Sequence, residues 1–485
     1  MDGGFQVTMW SNYWQETFSN FMEINQVLNK LVWGVPMIII LMGTGVYFSF
    51  RLKFLQLRWF RFIDWRQAKK HYQEMKYEKG SNSISEVQAL LTALAATIGT
   101  GNIIGVATAI QAGGRGAVFW MWVSAFLGMI IKYAENVLGI YYRYRNSRGE
   151  WMGGPMVYIE RGMKLKSLAT IFACCCFVAT FGIGNIAQIN GISTSLESTF
   201  GIDPMMTGSC VAIFTSIIVF GGLKRIVSFS RKLVPFMAGF YSISALIIIL
   251  YHVDKLPSVF VDIFQDAFCM SSVGGGVTGY LVSKSIRYGI ARGIFSNEAG
   301  LGTSVMIHTL SDQKEPVIQG IWGGLEVFID TMIICTLTAL AILTTDADRV
   351  SGLTGVNITF YAFHTVLGKS GAGIVTIAVV LFAFTTLIGW SIYGMRAGEY
   401  FGGSRYILLF KILFVLLIFI GANTDAQFVW ALADTCNGLM AVPNAIAILA
   451  LSGKVFKITD NFLQRKKGKS MIPMRSHLEE AIKNK

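Results

Sequence analysis

The feature that most constrains this chain is a succession of apolar runs, each about as long as a bilayer is thick. A spanning helix needs roughly 20 such residues. Eleven runs are readable, at about 31–50, 86–110, 117–142, 167–190, 205–222, 233–251, 274–310, 317–344, 371–394, 406–422 and 428–452. Inside lipid only helices and closed barrels satisfy their own backbone groups, and runs of this length spell helices. The sequence therefore predicts an all-α polytopic membrane protein with about 11 transmembrane helices. Of its 485 residues 53% are hydrophobic and only 14% charged, where a soluble domain carries about 25% charged residues. With 8 Pro and 7 Cys in no framework spacing, disorder, collagen and a disulfide scaffold are excluded.

The formal charge is +13, which in a soluble protein would suggest nucleic acid. Here the basic residues gather in one set of connections: 51–85, 143–166, 223–232, 311–316, 395–405 and the tail from Lys454. The positive-inside rule makes that set cytoplasmic. Eleven crossings then put the N-terminus outside and the C-terminus inside a plasma (inner) membrane, with no nucleic-acid partner required and no protein partner evident. The first residues are neither basic nor followed by a cleavage pattern, so no secretory signal is read. The stretch from Phe54 to Arg66 (FLQLRWFRFIDWR) is amphipathic, aromatic and basic. It reads as a helix lying along the inner leaflet, or as an ordinary juxtamembrane linker. Cys174, Cys175 and Cys176 fall mid-span and read as small apolar residues; no metal-ligand spacing of Cys or His is present.

The chain holds 51 Gly, and a few of them interrupt spans. In Thr92 to Gly105 (TALAATIGTGNIIG), Gly99, Gly101 and Gly105 each weaken a helix by about 1 kcal/mol relative to Ala. Unwound backbone at membrane depth is tolerated where it is buried in protein or lines a cavity. The N–H groups of such a break suit a carboxylate, and the carbonyls before it suit a small cation. Close helix packing is the alternative reading of the same glycines. A second interruption, Arg292 to Ser304 (RGIFSNEAGLGTS), carries Glu298, which is expensive in lipid and should face protein, water or an ion; a loop after a short span is its alternative. With the first run set aside, the breaks fall in the first and sixth of ten spans. Corresponding breaks in two halves point to a secondary transporter with a midplane site, and five spans per half require the halves to be inverted.

Other polar groups lie on spans. Thr385 and Thr386, in Leu381 to Trp390 (LFAFTTLIGW), supply hydroxyls for a sodium site or bond back to their own helix. Trp390, a turn beyond Thr386, walls a pocket or simply packs. Asn185, Gln188 and Asn190 need partners within the membrane, which a polar cavity would give. Lys132 and Glu135, three apart, are expected to neutralise each other on one helix face. Glu326 and Asp330 read either as a proton relay or as structural partners of Lys284, Arg287 or Arg292. No nucleophile–base pair or metal cluster is found, so an enzyme is not expected.

The chain resembles the alanine or glycine:cation symporter family, sodium-coupled amino-acid carriers with the leucine-transporter fold. The resemblance is carried by the Thr92 stretch, Gly116 to Trp122 (GAVFWMW), Lys132 to Glu135 (KYAE), Gly153 to Met156 (GGPM), Phe295 to Gly302 (FSNEAGLG) and Ala433 to Gly438 (ADTCNG). It implies a 5+5 inverted repeat preceded by one extra helix: an N-terminal segment, extra helix and linker over 1–85, repeats over 86–252 and 253–453, and a basic tail over 454–485. It implies sodium-coupled uptake of alanine or glycine, with proton coupling or a larger neutral substrate such as glutamine as alternatives. The substrate residues it implies are Thr100, Gly101, Asn102, Gln188, Asn185, Phe295, Ser296, Gly300, Thr386 and Trp390. The sodium ligands it implies are carbonyls of Ala95, Ile98 and Phe382 and hydroxyls of Thr385 and Thr386; sodium is the coupling ion and no other cofactor is implied. Ala96 stands where some relatives of the fold place Asn, which weighs against a second sodium site. Met306, Ile307 and His308 stand where small residues are more usual.

Overall fold

The computed structural model describes residues 32–66, 83–268, 275–424 and 426–477, with residues 20, 22–25, 27–29, 68 and 69 besides. The start of the expected N-terminal segment, most of the linker before residue 83 and the end of the tail lie outside these described residues.

The described chain is built from helices. We number them α1 (Val35–Arg51), α2 (Glu86–Thr97), α3 (Ile104–Gly113), α4 (Ala117–Tyr142), α5 (Lys166–Phe200), α6 (Pro204–Phe220), α7 (Leu223–Tyr251), α8 (Leu256–Phe268), α9 (Gly275–Asn297), α10 (Val305–His308), α11 (Pro316–Thr344), α12 (Val356–Leu367), α13 (Lys369–Gly402), α14 (Arg405–Gly421), α15 (Ala426–Ala450) and α16 (Ser452–Lys466). One two-residue hairpin, β1 (Tyr144–Arg145) with β2 (Trp151–Met152), is antiparallel. Among the described residues, five helices are long and apolar enough to cross a membrane alone: α4, α5, α7, α11 and α13. Asp434–Ala450 and α16 pass that test together, bent by 57°. Helices α1, α2, α3, α6 and α12 are apolar but shorter.

Two bodies of packing position the site. α4 lies against α9 and α11, and α13 lies against α2, α5 and α7. Small residues set these separations, as in membrane bundles generally. A Cβ on Gly320 of α11 would stand 2.8 Å from the Tyr133 ring of α4, and one on Gly389 of α13 would stand 2.6 Å from Ala96 Cβ of α2. The outward faces of α6, α7 and α14 leave Ile213, Phe214, Ile243, Leu250, Leu416 and Ile420 exposed, the surface that lipid covers in a polytopic protein.

The basic aromatic stretch after α1 is not a continuous helix. Lys53 and Phe54 adopt left-handed φ of 54° and 51°, which ends α1 and leaves two single 3₁₀ turns, Leu55–Leu57 and Trp59–Arg61. The Trp59 indole is buried against Gly324 of α11, so the segment is pinned inward by an anchor, with Leu57, Phe60 and Trp65 left exposed. The residues from Ser452 form α16, whose Arg465 meets Glu315 at 2.8 Å and whose Thr459 meets Tyr133 at 2.7 Å.

Candidate functional site

The site is built on the interruption between α2 and α3. Ser85 starts α2 with a reciprocal cap: its hydroxyl accepts from Gln88 N, and Gln88 Oε1 accepts from Ser85 N. Helix geometry fails at Ile98 (ψ 94°) and Gly99 (φ −137°, ψ −154°). In an unbroken helix Gly99 N would bond Ala95 O, Thr100 N would bond Ala96 O, and Asn102 N would bond Ile98 O. Instead Gly99 N donates to Asn102 Oδ1 at 2.9 Å, Thr100 N to Gln188 Oε1 at 3.2 Å, and Asn102 N to Gly99 O at 3.2 Å. The carbonyls of Ala95, Ala96 and Ile98 thereby lose their helical donors.

Helix α13 faces these carbonyls. Thr386 Oγ1 donates to Ile98 O at 3.0 Å. Thr385 Oγ1 donates to Phe382 O at 2.9 Å in its own helix and lies 3.3 Å from Met237 Sδ of α7. Gly99 is required where it stands, because a Cβ there would be 2.5 Å from Thr386 Oγ1 and 3.0 Å from Gln188 Oε1.

The second interruption follows α9. Glu298, Gly300 and Gly302 carry φ of 56°, 90° and 75°, and residues 293–311 are buried throughout. This is an interruption enclosed in protein, not a surface loop. Its leading edge meets the first break: a Cβ on Gly101 would stand 3.2 Å from Phe295 Cδ1 and 3.4 Å from Ser296 Cα. Asp330 ties the two breaks together. Its Oδ1 accepts from Asn102 Nδ2 at 2.8 Å, and its Oδ2 accepts from Ser296 Oγ at 2.7 Å and Thr331 Oγ1 at 2.8 Å.

Two side chains at the centre lie next to or within π turns. In α5 the turn Gly182–Ile186 frees Ile183 O, which accepts from Gln188 Nε2 at 2.9 Å. That grip aims Gln188 Oε1 at the first break, where it also accepts from Thr100 Oγ1 at 3.1 Å. Asp330 sits within the π turn Phe328–Cys335 of α11.

Thr100, Gly101, Asn102, Gln188, Phe295, Ser296 and Thr386 are thus brought together, with Ala95 and Ile98 beside them. Three expected substrate residues are not. Asn185 turns away, its Nδ2 donating to Phe414 O of α14 at 2.6 Å, because the π turn rotates it off the face of Gln188. Gly300 is occupied on the far side: its N–H reaches Glu135 Oε1 at 3.1 Å and its carbonyl accepts from Asn444 Nδ2 at 2.8 Å. Trp390 packs on α5, where a Cβ on Gly184 would stand 2.6 Å from its own Cβ.

The charged residues pair differently from their sequence spacing. Lys132 makes no direct ion pair with Glu135 among the described residues. Its Nζ reaches across to Glu298 O at 3.1 Å, Ser304 Oγ at 2.8 Å and Glu326 Oε1 at 3.8 Å. Glu135 instead takes Asn444 Nδ2 at 2.6 Å. Glu326 pairs with Lys132 and His308, and Asp330 with Asn102, Ser296 and Thr331, where Lys284, Arg287 or Arg292 were expected. Glu326 Oε2 meets His308 Nε2 at 2.8 Å, and Arg292 makes a two-pronged pair with Asp434 of α15 at 2.9 and 3.0 Å. The Arg292 guanidinium also lies 5.4 Å from the Phe295 ring centre. The unusual His308 is thereby explained as a buried partner of Glu326, with Gln319 Nε2 on its other nitrogen at 2.6 Å. The one available signal was two lone carboxylates in an apolar run; their partners lie on other helices.

Over residues 18–475 the sequence matches the sodium:alanine symporter family. The chain belongs to that family. It is 43% identical to an uncharacterised transporter of Haemophilus influenzae, covering 92% of this chain and 97% of that one. It is 41% identical to the sodium/alanine symporter AgcS of Methanococcus maripaludis, covering 93% and 99%, and 35% identical to the probable sodium/glutamine symporter GlnT of Bacillus subtilis, covering 91% and 90%. Among solved structures, MhsT in complex with L-phenylalanine superposes with a TM-score of 0.55 at 13% identity, over 78% of this chain and 90% of that one. The fold is that of the leucine-transporter class, and the protein is a multi-pass membrane symporter that couples amino-acid transport to a cation.

Proposed function

We propose that this sodium:alanine symporter family member takes up a small neutral amino acid, alanine or glycine, with sodium, by alternating access. The observation that carries the reading is the contact between Thr386 Oγ1 and the freed Ile98 carbonyl at the end of α2. Oxygens held this way suit a hard cation: as sodium enters, the Thr386 O–H turns away from the Ile98 carbonyl with its proton kept, and the ion draws in the carbonyls of Ala95, Ile98 and Phe382 with the hydroxyl oxygens of Thr385 and Thr386. Such an ion clamps α2 to α13 and fixes the shape of the break. The neighbouring amides then meet the substrate carboxylate. Thr100 N is held by Gln188 Oε1, so the carboxylate displaces Gln188 from that amide as it enters. Phe295 and Ser296 close the other side. Coupling is reciprocal, each ligand raising the affinity for the other, and the membrane potential adds about 2.3 kcal/mol per charge per 100 mV.

The topology that goes with this reading is eleven crossings, with an extra helix before two inverted halves over 86–252 and 253–453. The N-terminus is outside, and the basic connections and tail are cytoplasmic in the plasma membrane. The excess of Lys and Arg on one set of connections supports that orientation.

Two other readings have an observation each. The likeness to a probable sodium/glutamine symporter favours a larger neutral substrate. Asp330, buried between the breaks, favours proton coupling. Labelled alanine, glycine and glutamine uptake into proteoliposomes under a sodium gradient, a proton gradient or neither distinguishes all three. Alanine or glycine accumulation driven by sodium alone is expected; accumulation driven by protons without sodium overturns the ion assignment.

A further inference from the structure

At the basic end of α1 the protein forms an open-mouthed cavity of about 540 Å³ that shares no lining residue with either break. Its rim carries Arg51, Lys53, Arg58, Lys466 and Lys467 against one acid, Asp460. None of these five cations pairs with a carboxylate among the described residues. Arg51 instead lies over the Phe456 ring at 5.2 Å, Lys466 lies over Phe462 at 5.7 Å, and Arg58 donates to the Lys53 carbonyl at 2.8 Å. Five like charges gathered around a hollow repel one another unless an anion joins them.

The floor of the cavity identifies the anion. It is apolar, made by Leu52, Leu55 and Phe456, and the Phe456 ring packs at 5.6 Å on Tyr47 of the outward face of α1. There Ile39, Val46, Tyr47 and Phe50 are exposed along the helix, with Phe50 next to Arg51 at the mouth. A soluble anion would use the cations and leave this strip bare. A phosphate carrying hydrocarbon chains uses both. We propose that this cavity binds the headgroup of an anionic phospholipid, with its acyl chains lying along α1. The orientation under the proposed topology makes the lipid one of the cytoplasmic leaflet; the site is independent of the substrate and of the coupling ion.

The test uses the full chain purified in detergent. It is titrated with a short-chain phosphatidylglycerol, the matching phosphatidylcholine, or inorganic phosphate, and binding is read by thermal shift and by native mass spectrometry. Each basic residue near an anionic lipid surface contributes roughly fivefold in affinity, so Lys53→Gln/Lys466→Gln/Lys467→Gln lowers phosphatidylglycerol affinity about a hundredfold. A control triple, Lys164→Gln/Lys166→Gln/Lys232→Gln, removes three exposed charges elsewhere and keeps wild-type affinity. Should the first triple melt early without lipid, Lys53→Gln/Lys467→Gln is read instead, with a loss of about 25-fold. Phosphatidylcholine binding as tightly as phosphatidylglycerol, or unchanged phosphatidylglycerol affinity in the cavity variants, overturns the proposal. Inorganic phosphate binding as tightly, with the same dependence on these lysines, also overturns it in favour of a free-anion site.

Discussion

Thr386→Ala is the sharpest test of the proposal that the broken span and α13 share a cation. In the structure Thr386 Oγ1 lies 3.0 Å from Ile98 O, and the side chain is 2% exposed. The substitution removes one oxygen from the proposed ligand set and leaves the Ile98 carbonyl without its donor. A hydrogen-bond-type interaction with a charged group is worth about 1.5–3 kcal/mol net. At about 1.4 kcal/mol per factor of ten, the sodium half-saturation of alanine uptake should rise roughly 10- to 100-fold. At saturating sodium, uptake should return to within a few-fold of the native rate if the hydroxyl serves the ion rather than the substrate, since Thr100 and Asn102 keep their own partners. Thr386→Ser keeps the oxygen and should stay close to native. Thr385→Ala should act more weakly, since that hydroxyl already bonds Phe382 O within its own helix. The assay is initial uptake into proteoliposomes against external sodium at fixed alanine. A Thr386→Ala half-saturation within twofold of native, with equal reconstituted protein, refutes the assignment of this contact to the ion.

Gly99→Ala places a methyl group 2.5 Å from Thr386 Oγ1; overpacking of this kind costs about 1–3 kcal/mol, so sodium activation should weaken while the variant still reaches the membrane, as surface labelling will report. Gly101→Leu should abolish uptake without loss of expression, its side chain meeting the Phe295 ring that a Cβ already approaches to 3.2 Å; normal transport by that variant removes the substrate position. Asp330→Asn turns one of the two oxygens that accept from Asn102 and Ser296 into an NH2 that can only donate, and should cut uptake about tenfold or more in a protein that still folds; wild-type uptake would remove Asp330 from the link between the breaks. Lys132→Met leaves Glu326 buried without its cation and should destabilise the protein by about 3–5 kcal/mol, measured as a fall in the detergent melting temperature. Lys132→Met/Glu326→Gln should recover part of that loss, and a double variant no more stable than the single one contradicts the pairing.

The first break was legible because its cause is local: three glycines and three polar residues inside an apolar run weaken a helix wherever it is placed. The same is true of the stretch from Phe295 to Gly302. The pairings were not legible. Asn185 and Gln188 are three apart and would share a face of a regular helix, yet one reaches α14 and the other reaches the first break. A single π turn inserts a residue between faces and swings the following side chains by about 100°, and no residue type in that turn announces it. Lys132 and Glu135, three apart, likewise take their direct partners elsewhere. Each found a longer-range partner because the second break unwinds beside α4 and offers Glu298 O and the Gly300 N–H.

What the sequence determined by itself was the solvent and the weak points. Apolar runs of bilayer length leave the chain no option but helices in lipid, because backbone groups there must be satisfied within each segment. Glycine among polar residues marks where that satisfaction fails. The tertiary structure alone decided which groups repair the failure: Gln188 and Asn102 for the freed amides, Thr386 for the freed carbonyl, Asp330 between the two breaks. These choices depend on helix crossings and on π turns. A difference of one residue in register moves a side chain to another neighbour at no change in composition.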